Sequence, residues 1–204
     1  VSSKVEIANR ALTKLGEDRI LSLSDDTKAA RTLNSMFNVV RDAELRRNNW
    51  NFAVSRAQLA ASTTDPEWGF GYAYPLPADF LKLLDIDGAW SCPGLTDYVT
   101  YDNSIFRIEN VAGVGTCIVT DLAAPLKIRY TARIDDTAKY DPAFVEALAC
   151  RLAIESCETL TQSGTKKQAA MVEYRMAINE AITANAVENP ARAMADDSWI
   201  RSRL

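Results

Sequence analysis

The sequence predicts an α+β fold in which helices from both ends of the chain form one bundle and an antiparallel β domain is inserted between them. Three observations carry this. Apolar residues recur at helical spacing in the first and last thirds of the chain, the period drops to two in the middle, and Gly and Pro separate the middle strands with no helix interposed. The expected division places residues 1–49 and 135–187 in a discontinuous helical bundle, 50–134 in a β-rich domain and 188–204 in a C-terminal arm.

Each element has a local reason. Ser3 followed by Glu6 is a capping box, because hydroxyl and carboxylate each satisfy a free N–H at a helix start. Val5, Ala8, Leu12 and Leu15 continue at helical spacing, and Gly16 supplies a left-handed stop. A longer second helix is expected to begin near Ser24 to Asp26, with Ala29, Leu33, Met36, Phe37 and Val40 as its apolar stripe and Lys28, Arg31, Asn38 and Asp42 facing water. It ends in Arg46-Arg47-Asn48-Asn49, where cations suit the carbonyl end of the helix dipole and Asn suits the exit.

In the middle zone Trp50, Phe52 and Val54 alternate with polar or small residues. The clearest strand runs from Leu126 to Ile134, where apolar and polar residues interleave strictly. Residues 98–108 read as a hairpin turning near Asp102-Asn103-Ser104. Gly69, Gly71, Pro75 and Pro77 mark a long connection leading to a strand over Phe80 to Ile86.

Asp141-Pro142 then opens a helix, with Asp as cap and Pro at its first position. Phe144, Leu148 and Leu152 form its apolar stripe, and Arg151, Glu155, Glu158 and Gln162 its polar one. Ser163-Gly164 breaks the pattern before a last helix from about Thr165 to Val187, expected to bury Met171, Tyr174, Ile178 and Ile182. Each helix has a polar side and needs a neighbour for the other, which the bundle supplies. The chain holds no internal repeat and no low-complexity tract.

Composition narrows the function. The 204 residues are 48% hydrophobic and 25% charged, which is globular rather than disordered. Lys and Arg number 23 against 27 Asp and Glu, a formal charge of −4 that disfavours a general nucleic-acid binder. Histidine is absent, so no Ser-His-Asp or Cys-His nucleophile and no imidazole metal site can be built. Cys92, Cys117, Cys150 and Cys157 include no C-x-x-C pair. Cys150 and Cys157 sit two helical turns apart, roughly 10 Å, too far for a disulfide, so reduced structural thiols are expected. No apolar run reaches the length that spans a bilayer, and the start lacks a signal-peptide core, so a soluble chain is expected, its initiator Met removed before Val1.

The search for chemistry yields little. Asp25-Asp26, Asp85-x-Asp87, Asp135-Asp136 and Asp196-Asp197 are the acid pairs, but neighbouring side chains point apart, whereas a glycosidase needs two carboxyls facing across a sugar. Their simpler reading is helix-start charge and turn chemistry. Asp85-x-Asp87-Gly88 fails as a calcium loop, since Trp90 and Thr96 stand where Gly and Glu are required. Gly113-x-Gly115 is not a dinucleotide fingerprint. No catalytic, cofactor-binding or metal-binding residue is assigned.

Arg41, Arg46 and Arg47 near Trp50 form either a nucleic-acid patch or, more simply, a helix terminus paired with neighbouring acids. Trp68, Phe70, Tyr72 and Tyr74 alternate, as a stacking strip or as packing on a half-buried strand. The arm is the more unusual feature. Glu188, Asp196 and Asp197 balance Arg192, Arg201 and Arg203, so charge is not its purpose. Trp199, Ile200, Arg201 and Arg203 have the composition of an interface anchor, with folding back on the same subunit as the alternative.

Read in order, these segments resemble the head-to-tail adaptor proteins of short-tailed bacteriophages, the tail tubular protein A (gatekeeper) family. The resemblance rests on Ala8-Asn9-Arg10-Ala11-Leu12-x-x-Leu15-Gly16, Trp50-Asn51-Phe52-Ala53, Tyr74-Pro75-Leu76-Pro77-Ala78-Asp79-Phe80-Leu81, Ile128-Arg129-Tyr130-Thr131, Phe144-Val145-Glu146-Ala147-Leu148-Ala149 and Asp197-Ser198-Trp199-Ile200-Arg201-Ser202-Arg203. It spans most of the chain and rests on their order rather than on any one of them. The resemblance implies a structural virion protein at the head–tail junction, present in the host cytoplasm during assembly. It implies a ring, commonly of twelve copies, between the portal protein and the tail nozzle protein, with tail fibres as further neighbours and DNA passing through without specific binding. No enzymatic activity, cofactor or membrane contact is expected. The alternatives are a virion-associated, carboxylate-dependent cell-wall hydrolase and a host-encoded interaction module.

Overall fold

The computed structural model describes residues 3–86 and 106–188. They form an α+β fold with N-terminal helices, a central antiparallel β region and C-terminal helices. The described residues divide into two compact units, one of residues 3–53 and 133–188, the other of residues 54–86 and 106–132.

The first unit is helical. Helix α1 (Lys4–Leu15) opens with the expected capping box, Glu6 N–H donating to Ser3 Oγ and Ser3 N–H to Glu6 Oε2. It closes on Gly16 at φ +68°, a conformation that costs a side-chain-bearing residue and not Gly. Helix α2 (Lys28–Arg47) begins later than expected, because Thr27 takes the N-cap, while Asp25 is spent upstream accepting the Leu21 and Ser22 N–H groups. Its C-cap Asn48 leaves in an extended conformation (φ −123°) rather than a left-handed one.

Helix α3 (Pro142–Thr161) starts at the Asp141 cap, whose Oδ1 accepts from Ala143 and Phe144 N–H. It lies at the centre: Phe144, Leu148, Leu152, Cys150 and Cys157 are all buried, and α1, α2 and α4 (Gly164–Val187) each pack against it. Cys117, Cys150 and Cys157 are free thiols. Gln162 at φ +52° and the Ser163 cap form the sharp link between α3 and α4.

The buried stripes differ in detail from the sequence pattern. On α2, Ala30 is buried and Ala29 only partly, and Met36 is half-buried; Arg41 and Glu44 lie inside instead. On α4, Tyr174 and Ile178 are buried as expected, but their companions are Ala170 and Ala181. Met171 and Ile182 lie outside, each 39% exposed, because small residues let α4 approach α3 closely.

Trp50 and Phe52 belong to this unit and not to a strand. A short 3₁₀ turn (Asn51–Ala53) carries them into an aromatic cluster with Tyr140 and Phe144, where the Trp50 and Phe144 centroids are 5.0 Å apart and those of Phe52 and Phe144 5.1 Å. The indole N–H donates to the Glu44 carbonyl at 2.9 Å. Burial of large aromatic area, about 2–3 kcal/mol per ring, overrides the period-two pattern there.

The second unit is two antiparallel sheets rather than one. β1 (Val54–Leu59), β6 (Leu126–Ala132) and β3 (Phe80–Ile86) form one in the order β1-β6-β3. β2 (Tyr72–Pro75), β5 (Gly115–Thr120) and β4 (Phe106–Val111) form the other in the order β2-β5-β4. β6 alternates as expected, with Leu126, Ile128 and Tyr130 buried and Lys127 and Arg129 exposed, but it ends at Ala132, and Arg133 pairs with Asp42 in the helical unit. The described hairpin joins β4 to β5 through Gly113 and Gly115, both at positive φ (+80° and +89°), which is what that glycine pair is for. The expected turn at Asp102-Asn103-Ser104 lies outside the described residues.

Candidate functional site

Among the described residues, the acids of the sequence-predicted pairs go to turns, a cap and ion pairs. Asp25 closes a turn, Asp26 pairs with Arg31, Asp135 pairs with Arg41, and Asp136 accepts the Ala138 N–H to cap a 3₁₀ turn. Asp85 is buried with Oδ2 3.5 Å from Arg129 Nη2. Asp87, Asp196 and Asp197 lie outside the described residues. The Lys14 ammonium, hydrogen-bonded to Glu146 at 2.6 Å, holds the Glu146 carboxyl below the ordinary range, the opposite of what a general acid requires. Among the described residues, no group of three or more Cys, Asp or Glu side chains is placed to hold a metal ion, and no helix is long and apolar enough to cross a membrane.

Of the basic cluster that ends α2, Arg46 and Arg47 are exposed and Arg41 lies inside. Arg41 is 2% exposed, with Asp42 and Asp135 as its ion-pair partners. Arg47 turns to the Tyr174 hydroxyl, which in turn donates to the Glu44 carboxylate at 2.9–3.0 Å. Arg47 and Arg151 both sit over the Tyr174 ring, 5.7 and 5.8 Å from its centroid, and Arg151 Nε lies 3.8 Å from Glu44 Oε1. Burial, followed by the Glu44 charge, pushes the Tyr174 phenol up to about 12. This network from α2, α3 and α4 is saturated, and it fastens α4 to the bundle. A second clamp joins Asn185 of α4 to Asn49 and Asn51 through three amide hydrogen bonds of 2.8–3.0 Å.

With its inner side fastened, α4 still carries apolar residues outward. Val172 is 55% exposed, Met176 62% and Val187 78%. At 100° per residue, Val172 and Met176 fall on the side opposite Tyr174 and Ile178, and the exposed polar Asn179 and Thr183 separate them from Val187. Sequence reasoning missed this face because it sought one stripe on the helix; the signal was that α4 has two.

The aromatic alternation resolves into separate roles. Tyr74 is buried and donates to the Leu122 carbonyl at 2.6 Å, Phe70 packs on Ala73, Cys117 and Val119, and Tyr72 sits with its ring 6.4 Å from that of Tyr74. Trp68 is the most exposed of the four, at 81%, and Tyr72 is partly exposed as well. The four do not form a strip. Of the conspicuous end-of-chain residues, Trp199, Ile200, Arg201 and Arg203 all lie outside the described residues.

No protein-family model matches the chain, and no curated protein matches it.

Proposed function

We propose that this chain is a structural assembly protein of the head-to-tail adaptor kind, working as a ring of copies between a phage portal and the tail nozzle. The observation that supports the reading is the pair of exposed apolar side chains Val172 and Met176 on a helix whose other side is already clamped to its own bundle. Exposed apolar side chains on a clamped helix suit contact with another protein. The ordered resemblance described above supplies the kind of assembly. A closed ring needs different patches on the two sides of each subunit. Each copy contributes a formal −4, which favours passage of DNA over its retention.

In this reading the stretch from Glu188 onward reaches the portal or an adjacent subunit through Trp199, Ile200, Arg201 and Arg203. Removing residues 199–204 is expected to abolish binding to rings of the portal protein encoded in the same genome while leaving the fold intact by circular dichroism. Undiminished portal binding by the truncated chain, or the absence of any such portal gene, contradicts the proposal.

A further inference from the structure

Two three-stranded sheets leave four edge strands among the described residues, β1 and β3 on one sheet and β2 and β4 on the other. Three of the four are blunted. β3 meets β6 through two register shifts, between Phe80 and Lys82 and between Leu83 and Asp85. β2 carries Pro75, and its Ala73 carbonyl already accepts the Ser62 N–H from the connecting loop. β4 sets a charge of each sign along its edge, at Arg107 and Glu109. Irregular register, Pro and charge are the ordinary means by which an edge avoids pairing with another chain.

β1 is different. Its residues run in unbroken register with β6, from Val54 opposite Thr131 to Leu59 opposite Leu126. It has no Pro, and Arg56 is its one charge. In an antiparallel ladder alternate residues turn N–H and C=O to the same neighbour, so half of β1 points its backbone groups away from β6. Among the described residues, none of these groups is hydrogen-bonded outside that ladder. The side chains along the strand do not close it off: Arg56 and Gln58 are exposed, and Val54, Ser55 and Ala57 are half-buried. The edge is a template of backbone donors and acceptors at strand spacing, the arrangement to which an extended segment adds as a further strand.

The strand's own sequence says what fits it. Ser55, Ala57 and Leu59 share the face on which Leu59 and its neighbour Leu126 are buried, and Val54, Arg56 and Gln58 share the other. An added strand must keep those faces aligned, so β1 of a second copy has few registers to choose from. Centring the pair on Arg56 opposes the two guanidinium groups directly, which is destabilising. Registers centred nearer either end pair half of the strand or less. Centring the pair on Ala57 sets Arg56 of each copy opposite Gln58 of the other, a guanidinium donor facing an amide oxygen. Ser55 then faces Leu59, and two small Ala57 side chains meet at the middle. We infer that β1 is a strand-addition edge whose occupant is β1 of a second copy, paired antiparallel about a two-fold axis at Ala57. The contact is isologous and closes on two copies, so it is a state of the free chain separate from any ring contact. It stands whether or not the ring reading holds.

Charge changes at positions 56 and 58 of the full chain, followed by analytical ultracentrifugation and hydrogen exchange, test the pair and its register together. Wild type is expected to show a reversible two-copy species, with the amides of residues 54–59 exchanging more slowly as chain concentration rises. Gln58→Glu sets a carboxylate opposite Arg56 of the other copy, twice per pair, and is expected to tighten association about fivefold. Gln58→Arg sets cation opposite cation and is expected to weaken it about as much. Arg56→Glu with Gln58→Arg exchanges the charges and is expected to restore at least wild-type strength. Circular dichroism checks each fold; Gln58→Glu, which faces Lys127 within its own sheet, decides the matter even where Gln58→Arg does not fold. Wild type that stays single up to about 1 mM, or a Gln58→Glu variant that pairs no more tightly, overturns the contact. Amide protection of β1 that appears only on adding the portal protein gives the edge to a portal strand and overturns the second copy as its occupant. A chain that pairs as described but never binds a portal ring defeats the ring reading and leaves this contact standing.

Discussion

At the scale of single residues, the helical unit depends on a few charges placed where a simple apolar pattern has no room for them. Glu44 is 3% exposed, and its carboxylate is satisfied by the Tyr174 hydroxyl with Arg151 beyond. Tyr174→Phe removes that donor and also the acceptor for Arg47, leaving a buried carboxylate short of partners. The expected loss is about 1–3 kcal/mol of unfolding free energy, measured by urea denaturation. A Phe variant as stable as wild type contradicts the clamp. None of this was legible in the sequence, where Arg41 and Glu44 look like ordinary polar positions of α2. Their partners Asp135 and Tyr174 are about a hundred residues away along the chain, and nothing local announces a pairing of that kind. What the sequence did announce were contacts within one turn, such as the Ser3–Glu6 box and the Asp141 cap, because both partners are neighbours.

At the scale of elements, period and punctuation located the helices and the strands Phe80–Ile86 and Leu126–Ala132 closely, since each has one buried side. They failed at Trp50-Asn51-Phe52, where alternation reflects aromatic side chains entering a helical core from a 3₁₀ turn. They also failed on α4, which buries small residues against α3 and leaves larger ones outside. That inversion has a consequence for assembly. Val172→Gln with Met176→Gln changes only exposed positions and keeps good helix formers in place. Monomer stability is expected to stay within about 0.5 kcal/mol of wild type, while association in sedimentation is lost. A large drop in stability would show that these side chains serve the fold instead, and unaltered association would remove α4 from the interface.

At the scale of the whole molecule, the described surface leaves apolar side chains in the open on both units, Val172 and Met176 on α4 and Trp68 on the connection between β1 and β2. The paired acids Asp25, Asp26, Asp135 and Asp136 are committed to turns, a cap and ion pairs. Our proposal is that copies of this chain close into a ring that seats on a portal. Native mass spectrometry of the purified chain, alone and after mixing with the portal protein from the same genome, tests this. The expected result is a single species with a fixed whole number of copies bound to the portal. A spectrum showing only separate single copies in both samples would contradict it.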